Sequence, residues 1–311
     1  MKRFLLPLPV FLLFICNSAF LGASELEVLG GINFLTYKPG QTAAYSEPDE
    51  AYSESGTEKY FVPFPFWLAN INLRLDFSEK MNITLSIERD NILQNTLSAL
   101  FGLKTDYINV NFGVFAGLPD SLSRPDAGIT GNLELIAART LFFSISGAST
   151  LGNQYGFTSS NSRETAGAKL GFWAGDTVPS VSADMKTYSQ GGDNINDVLY
   201  RLAFNLDFLI KDTNTSGYLN AGYQVYSRTY KQMLLIEETG EQKPIYFTDS
   251  LDLFFAGFGF YWYGKPIGFK LGVEMPLSIH AKPSPMTVSD TAKAHFSYIK
   301  AYAGFVFMPV N

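Results

Sequence analysis

The chain holds one cysteine, Cys16, and two histidines, His280 and His295, in 311 residues. Beyond residue 23 it has no uninterrupted apolar run that approaches the roughly eighteen residues a membrane helix needs. Each scarcity excludes something. One cysteine near the N-terminus leaves no disulfide framework and no cysteine metal site. Two histidines without companion ligands make a poor metal centre. No His-Glu-x-x-His, Gly-x-Ser-x-Gly or phosphate loop occurs, and Gly257-Phe-Gly259 lacks the third glycine of a dinucleotide fingerprint, so no enzyme and no cofactor is expected. If the chain crosses a membrane, it crosses as strands.

The first residues read Met1-Lys2-Arg3 and then a short apolar run from Leu5 to Ile15. A basic start followed by an apolar stretch too short to span a bilayer is a secretory signal, with cleavage placed after Ala23 and Ser18 as the other small-residue site. Residues 1–23 are therefore expected to be a signal peptide and residues 24–311 the mature protein. Cys16 follows Phe14 and Ile15, where a lipoprotein signal wants small residues, and reads as part of the apolar run. Removing Lys2 and Arg3 leaves 21 basic against 29 acidic residues, a net charge of about −8 that makes nucleic acid an unsuitable partner.

What the chain does have is strict alternation. In residues 67–77, Trp67, Ala69, Ile71, Leu73, Leu75 and Phe77 share one face, against Asn70, Asn72, Arg74 and Asp76 on the other. Residues 198–208 repeat this, with Tyr200, Leu202, Phe204 and Leu206 opposite Arg201, Ala203, Asn205 and Asp207. Further copies occur around Ile83–Ile87, Ile108–Val114, Ala166–Phe172 and Ile267–Val273. No helical face sorts residues in this way. Connection lengths also alternate. Short links at 78–80, 139–140, 175–177, 211–215 and 264–265 take turns with longer ones at 38–59, 152–164, 190–196, 231–247 and 282–293. A weaker alternation, Leu97, Ala99, Phe101 and Leu103 against Thr96, Ser98, Leu100 and Gly102, supplies a strand between residues 90 and 128 and keeps the rhythm intact.

The expected strands are 25–37, 60–77, 81–90, 95–103, 106–117, 128–138, 141–151, 165–174, 178–189, 197–210, 216–230, 248–263, 266–281 and 294–307. Together they imply an all-β fold, a single transmembrane antiparallel barrel of about fourteen strands with twelve as the alternative, and both termini on the short-turn, periplasmic side. Closure leaves no free edge to aggregate. Tyr261, Trp262 and Tyr263 beside a short turn are expected in an aromatic girdle, and Pro276 is expected above the lipid-facing band.

Signal, alternating strands, alternating loop lengths and the closing segment Tyr302-Ala-Gly304-Phe305-Val-Phe307 resemble the bacterial outer-membrane porin-like barrels over residues 24–311. The closing segment is similar to the signal that the barrel-assembly machinery reads, although Met308-Pro-Val-Asn311 follows where such barrels end on an aromatic residue. Fourteen strands is also the size of the transporters similar to long-chain fatty-acid channels, which carry an N-terminal hatch. The resemblance implies an integral outer-membrane location, lipid and small solutes as partners, and the assembly machinery during biogenesis; a monomer is expected because no lipid-facing groove is legible in the sequence. No functional residue is carried over from it.

The wet faces expected to line the lumen carry Arg74, Lys169, Lys186, Arg201, Lys270 and Lys300 against Asp76, Glu88, Glu134, Asp184, Asp207 and Glu274. Mixed signs suit weak selectivity in a pore for small hydrophilic solutes or ions, or cross-strand pairing that fills the interior. A closed barrel that binds ligands through loops 38–59 and 231–247 is the alternative. A carrier of hydrophobic compounds or a hydrolase using His280 or His295 comes third. The two histidines flank the last long connection, where antiparallel pairing would bring them face to face. Residues 38–59, with Glu47, Asp49, Glu50, Glu54 and Glu58, read as a solvated acidic loop.

Overall fold

The computed structural model of the protein describes residues 23–38, 65–90, 93–118, 126–138, 140–151, 161–190, 195–236, 241–282 and 295–308. They form fourteen strands and no α-helix. In chain order these are β1 (Ala23–Lys38), β2 (Pro65–Ser78), β3 (Met81–Asp90), β4 (Gln94–Lys104), β5 (Ile108–Leu118), β6 (Asp126–Ala137) and β7 (Leu141–Thr150). They continue with β8 (Asn161–Phe172), β9 (Thr177–Gln190), β10 (Ile195–Ile210), β11 (Thr215–Ile236), β12 (Glu241–Trp262), β13 (Ile267–Lys282) and β14 (His295–Phe307). Each strand pairs antiparallel with its sequence neighbours, and β14 closes on β1 from Leu26↔Phe307 to Lys38↔His295. The barrel is complete, so every described wall strand has two partners over most of its length.

The proposed signal peptide and the acidic loop 38–59 lie almost entirely outside the described residues, which resume at Ala23 and at Pro65. The links β2–β3, β4–β5, β6–β7, β8–β9, β10–β11 and β12–β13 are short turns at one end of the barrel, the end where β1 starts and β14 stops. The shortest strands, β3 and β7, have ten residues, matching the roughly nine to eleven that a tilted strand needs to cross a bilayer.

Two expectations are corrected. Residues 231–247 are mostly strand: β11 and β12 run 22 residues each and stay paired to Ile236↔Glu241. Pairing of β10 with β11 begins at Asn196↔Thr229 and that of β12 with β13 ends at Ser250↔Lys282. Beyond those limits the two strands pair only with each other, a ribbon that rises about 23 Å at the usual rise per residue. Strand β8 starts at Asn161 rather than 165, so Arg163 belongs to the wall. Pro276 sits at a β-bulge where the β12–β13 register shifts beside Phe254 and Phe255, a place where a missing ladder donor is tolerated.

Alternation sorts the two faces as expected. Tyr200, Leu202 and Phe204 are each more than half exposed on the outside of β10, while Ala203 between them is 2% exposed on the inside. Ile129, Val181, Leu219, Phe258 and Phe305 carry the same exposed apolar face around the wall. A continuous belt of this kind is far larger than the apolar patches that soluble monomers leave in water. Aromatic rings gather at the short-turn rim: Phe77, Tyr107, Trp262 and Phe307 are exposed on its outside, while Trp173 and Tyr263 line the mouth of the lumen. Tyr261 departs from its expected place in this girdle. It alternates with Trp262, so it faces inward, where the Lys270 ammonium lies 4.9 Å from its ring centre.

Candidate functional site

The inner face of the barrel is the candidate site, and its identity follows from chords. Arg201 on β10 holds Glu274 on β13 with two parallel hydrogen bonds, Nη1 to Oε1 at 2.8 Å and Nη2 to Oε2 at 2.7 Å. No ladder joins β10 to β13, so this pair forms only through the interior. In the same way Lys186 on β9 reaches Asp90 on β3, Lys270 on β13 reaches Glu27 on β1, and the Tyr218 and Tyr302 hydroxyls meet at 2.8 Å between β11 and β14.

Register from these anchors puts Arg74, Asp76, Glu88, Glu134, Lys169, Asp184, Lys186, Arg201, Asp207, Lys270, Glu274 and Lys300 all on the inner face. The structure brings some of them together. Lys186 lies 3.9 Å from Glu88 as well as against Asp90, Lys169 lies 4.0 Å from Asp207, and Arg74 Nε donates to Asp76 Oδ1 on its own strand at 2.8 Å. Glu134 takes a hydrogen bond from Asn109 Nδ2 at 2.6 Å. Lys300 is the ladder partner of Glu274, yet Arg201 takes that carboxylate, and Lys300 makes no ion pair among the described residues.

The space between these walls is a cavity of about 1060 Å³. At the short-turn end it is lined by Trp173, Asp176, Asp207, Tyr263 and Lys270; midway by Arg201 and Lys300; at its far end by Asp90, Leu93 and Lys186. Beyond that far end the interior is packed. Leu93, in the turn between β3 and β4, is buried against Tyr188, with Leu199 and Tyr226 around it. Beside the cavity, Tyr226 also packs against a buried cluster of Ala203, Leu251, Leu253 and Phe255, which spans the rungs around Arg201. Arg201 covers Phe255, its guanidinium carbon 4.0 Å from the ring centre. Charged pairs complete this layer: Arg228 holds Asp197 through Nε at 2.6 Å and Nη2 at 2.8 Å, and Tyr226 donates to the same carboxylate at 2.7 Å.

Sequence reasoning missed the most deeply buried charges. Arg163, 1% exposed, ion-pairs with Asp126 on β6 and donates from Nε to the Leu93 carbonyl at 2.7 Å. Its guanidinium passes over Gly117 of β5, where a β-carbon would overlap it, which is why that position has no side chain. Both Arg163 and Asp126 fall in segments read as connections, because their strand neighbours Ser162, Glu164 and Ala127 do not continue the apolar alternation. Glu27 was findable by the same dyad rule, since Leu26 and Val28 flank it.

The histidine expectation is overturned. His280 pairs with Asp252 of β12 and His295 with Lys38 of β1, while the β13–β14 ladder ends at Glu274↔Lys300. His280 stands on the outward-facing register, away from the lumen. Among the described residues no group of three or more metal-ligating side chains occurs.

No family model matches the chain, and neither does any curated protein. Solved structures do. A Pseudomonas aeruginosa FadL homologue superposes with a TM-score of 0.51 at 11% identity, over 91% of this chain and 89% of that one. An outer membrane channel from Pseudomonas putida F1 gives 0.40 at 11% identity, over 92% and 95%. OmpT, an outer membrane protein of Vibrio cholerae, gives 0.35 at 8%, over 91% and 99%. The chain has the fold of the bacterial outer-membrane β-barrels.

Proposed function

We propose that the protein is an integral, monomeric outer-membrane channel for the passive passage of small hydrophilic solutes or ions, and not an enzyme. The observation that carries this reading is the 1060 Å³ cavity walled by side chains of both charge signs, with the apolar residues of the same strands turned outward. A polar interior inside an apolar belt is the arrangement that lets water and solutes stand within a bilayer. Lipid covers the belt, and the barrel-assembly machinery inserts the chain. The mixed charges favour weak rather than steep ion preference, since acids and bases largely pair across the lumen.

A second reading is favoured by the packed layer above the cavity: a closed barrel whose protruding β11–β12 ribbon meets ligands outside the cell. Planar-bilayer recording on the refolded protein in salt decides between them. Discrete ohmic steps, with a reversal potential under a salt gradient, support the channel. Silence from protein shown by heat-modifiable gel mobility to be folded, and shown to be inserted, overturns it and favours the ribbon. Fractionation tests the location, since an outer-membrane barrel is released by detergent and not by high salt.

A further inference from the structure

We propose that the lumen beside Lys300, midway along the cavity, is a binding site for a small organic carboxylate; the proposal rests on the channel reading and names a class of solute for it. The site is built from a charge and a donor that the barrel leaves over. Lys300 of β14 lines the cavity, and the carboxylate of its ladder partner Glu274 is already engaged. Both Glu274 oxygens accept from Arg201, and Oε2 also accepts from Asn220 Nδ2 at 3.4 Å. Lys169, Lys186 and Lys270 each have a carboxylate partner. Lys300 has none among the described residues. The groups that act on it most strongly are Glu274, Arg201, Lys186 and Asp90, two carboxylates against two cations, so their effects largely cancel and its own charge remains.

The second donor lies one inward position nearer the short-turn rim. Tyr302 follows Lys300 by two residues, so both side chains leave β14 on the same face, about 7 Å apart along the strand. The Tyr302 hydroxyl meets that of Tyr218 on β11 at 2.8 Å. Such a pair uses one hydroxyl proton between its members and leaves the other free to donate. Among the described residues neither hydroxyl has another hydrogen-bond partner. The two rings lie against the wall because Gly259 of β12 and Gly272 of β13, the strands between them, carry no side chain; a β-carbon at Gly259 would overlap Tyr218, and one at Gly272 would overlap both.

An ammonium and a phenol O–H at this spacing suit the two oxygens of one carboxylate, each accepting a hydrogen bond of about 2.8 Å. Leu29 of β1 and the two tyrosines line the same cavity and offer apolar contact to the rest of an organic acid, contact that an inorganic anion has no use for. The carboxylates of Glu274 and Asp90 nearby keep the binding weak. Passage requires that, since a solute must leave the site as readily as it enters.

The test uses the protein refolded in detergent, with trifluoroacetate as the probe and broadening of its fluorine NMR line as the readout of weak binding. Heat-modifiable mobility verifies each barrel. The parent is expected to broaden the line, and propionate to reverse the broadening at a concentration where nitrate does not. Lys300→Met is expected to abolish it. Tyr302→Phe, which keeps the ring, is expected to weaken binding about tenfold, the scale of one hydrogen bond to a charged group. Lys211→Met removes an exposed cation from the β10–β11 turn, changes the net charge equally and should bind as the parent does. Broadening that survives Lys300→Met undiminished, or that nitrate reverses as well as propionate, overturns the site. A parent that conducts in planar bilayers yet leaves the line sharp overturns the site and leaves the channel standing. Binding that Lys300→Met abolishes, in a protein that is inserted and silent in bilayers, overturns the channel and leaves the site.

Discussion

Replacing Phe204 by arginine asks whether the apolar belt meets lipid. Phe204 lies six positions before the end of β10 at Ile210, which adjoins the short-turn rim. At about 3.3 Å per residue and a tilt near 40°, it stands roughly 15 Å from that rim, near the middle of an apolar band about 25 Å tall. An arginine at that depth costs about 2–4 kcal/mol. The ring is 52% exposed on the isolated barrel, so losing its contact with hydrocarbon adds about 1 kcal/mol. Phe204→Arg is expected to destabilise the folded protein in phospholipid vesicles by about 3–5 kcal/mol, read by urea titration of tryptophan fluorescence. The neighbouring Asn205→Arg is the control. It faces the lumen, donating from Nδ2 to Ser182 Oγ at 3.3 Å, and should cost about 1 kcal/mol, the scale of one lost hydrogen bond. A Phe204→Arg cost under about 0.5 kcal/mol would show that this face meets water, and the membrane assignment would fall with it.

Other expectations follow from the interior and the ribbon. Glu274→Leu alone strands the Arg201 guanidinium and should cost about 3 kcal/mol, while Arg201→Met with Glu274→Leu should cost far less than the sum of the singles; additive unfolding free energies would refute the pairing. Tyr302→Phe breaks the hydroxyl contact with Tyr218 and should lower stability by about 1 kcal/mol in the same titration. Replacing residues 231–246 by a two-residue turn should leave heat-modifiable mobility unchanged and stability within about 0.5 kcal/mol, because the ribbon pairs only with itself; a variant that no longer folds would contradict that register. Lys300→Glu should move the reversal potential toward cation preference, since it replaces a lumen cation that has no carboxylate partner among the described residues. An unchanged potential would place Lys300 off the conducting path.

The amino-acid sequence by itself determined the barrel class, a count of about fourteen strands with most of their short turns, and which residues of the clearly alternating strands face in. It could do so because a lipid-facing wall writes its two environments into every second residue, as in Tyr200, Leu202 and Phe204 against Arg201, Ala203 and Asn205. That signal stops where lipid stops. Ser162 and Glu164 flank Arg163, and β11 and β12 continue well past the wall, yet these stretches are strands all the same. Around Arg163, beyond the apolar belt, the inward side chain meets protein rather than a lumen and no apolar alternation marks the stretch. Only the tertiary structure decided who meets whom inside. Arg201 with Glu274, Lys186 with Asp90 and Arg163 with the Leu93 carbonyl join strands that are distant in the ladder. Such chords depend on closure, which fixes which walls stand opposite and at what height. Alternation along a single strand says which side chains enter the lumen, and nothing about what they find there.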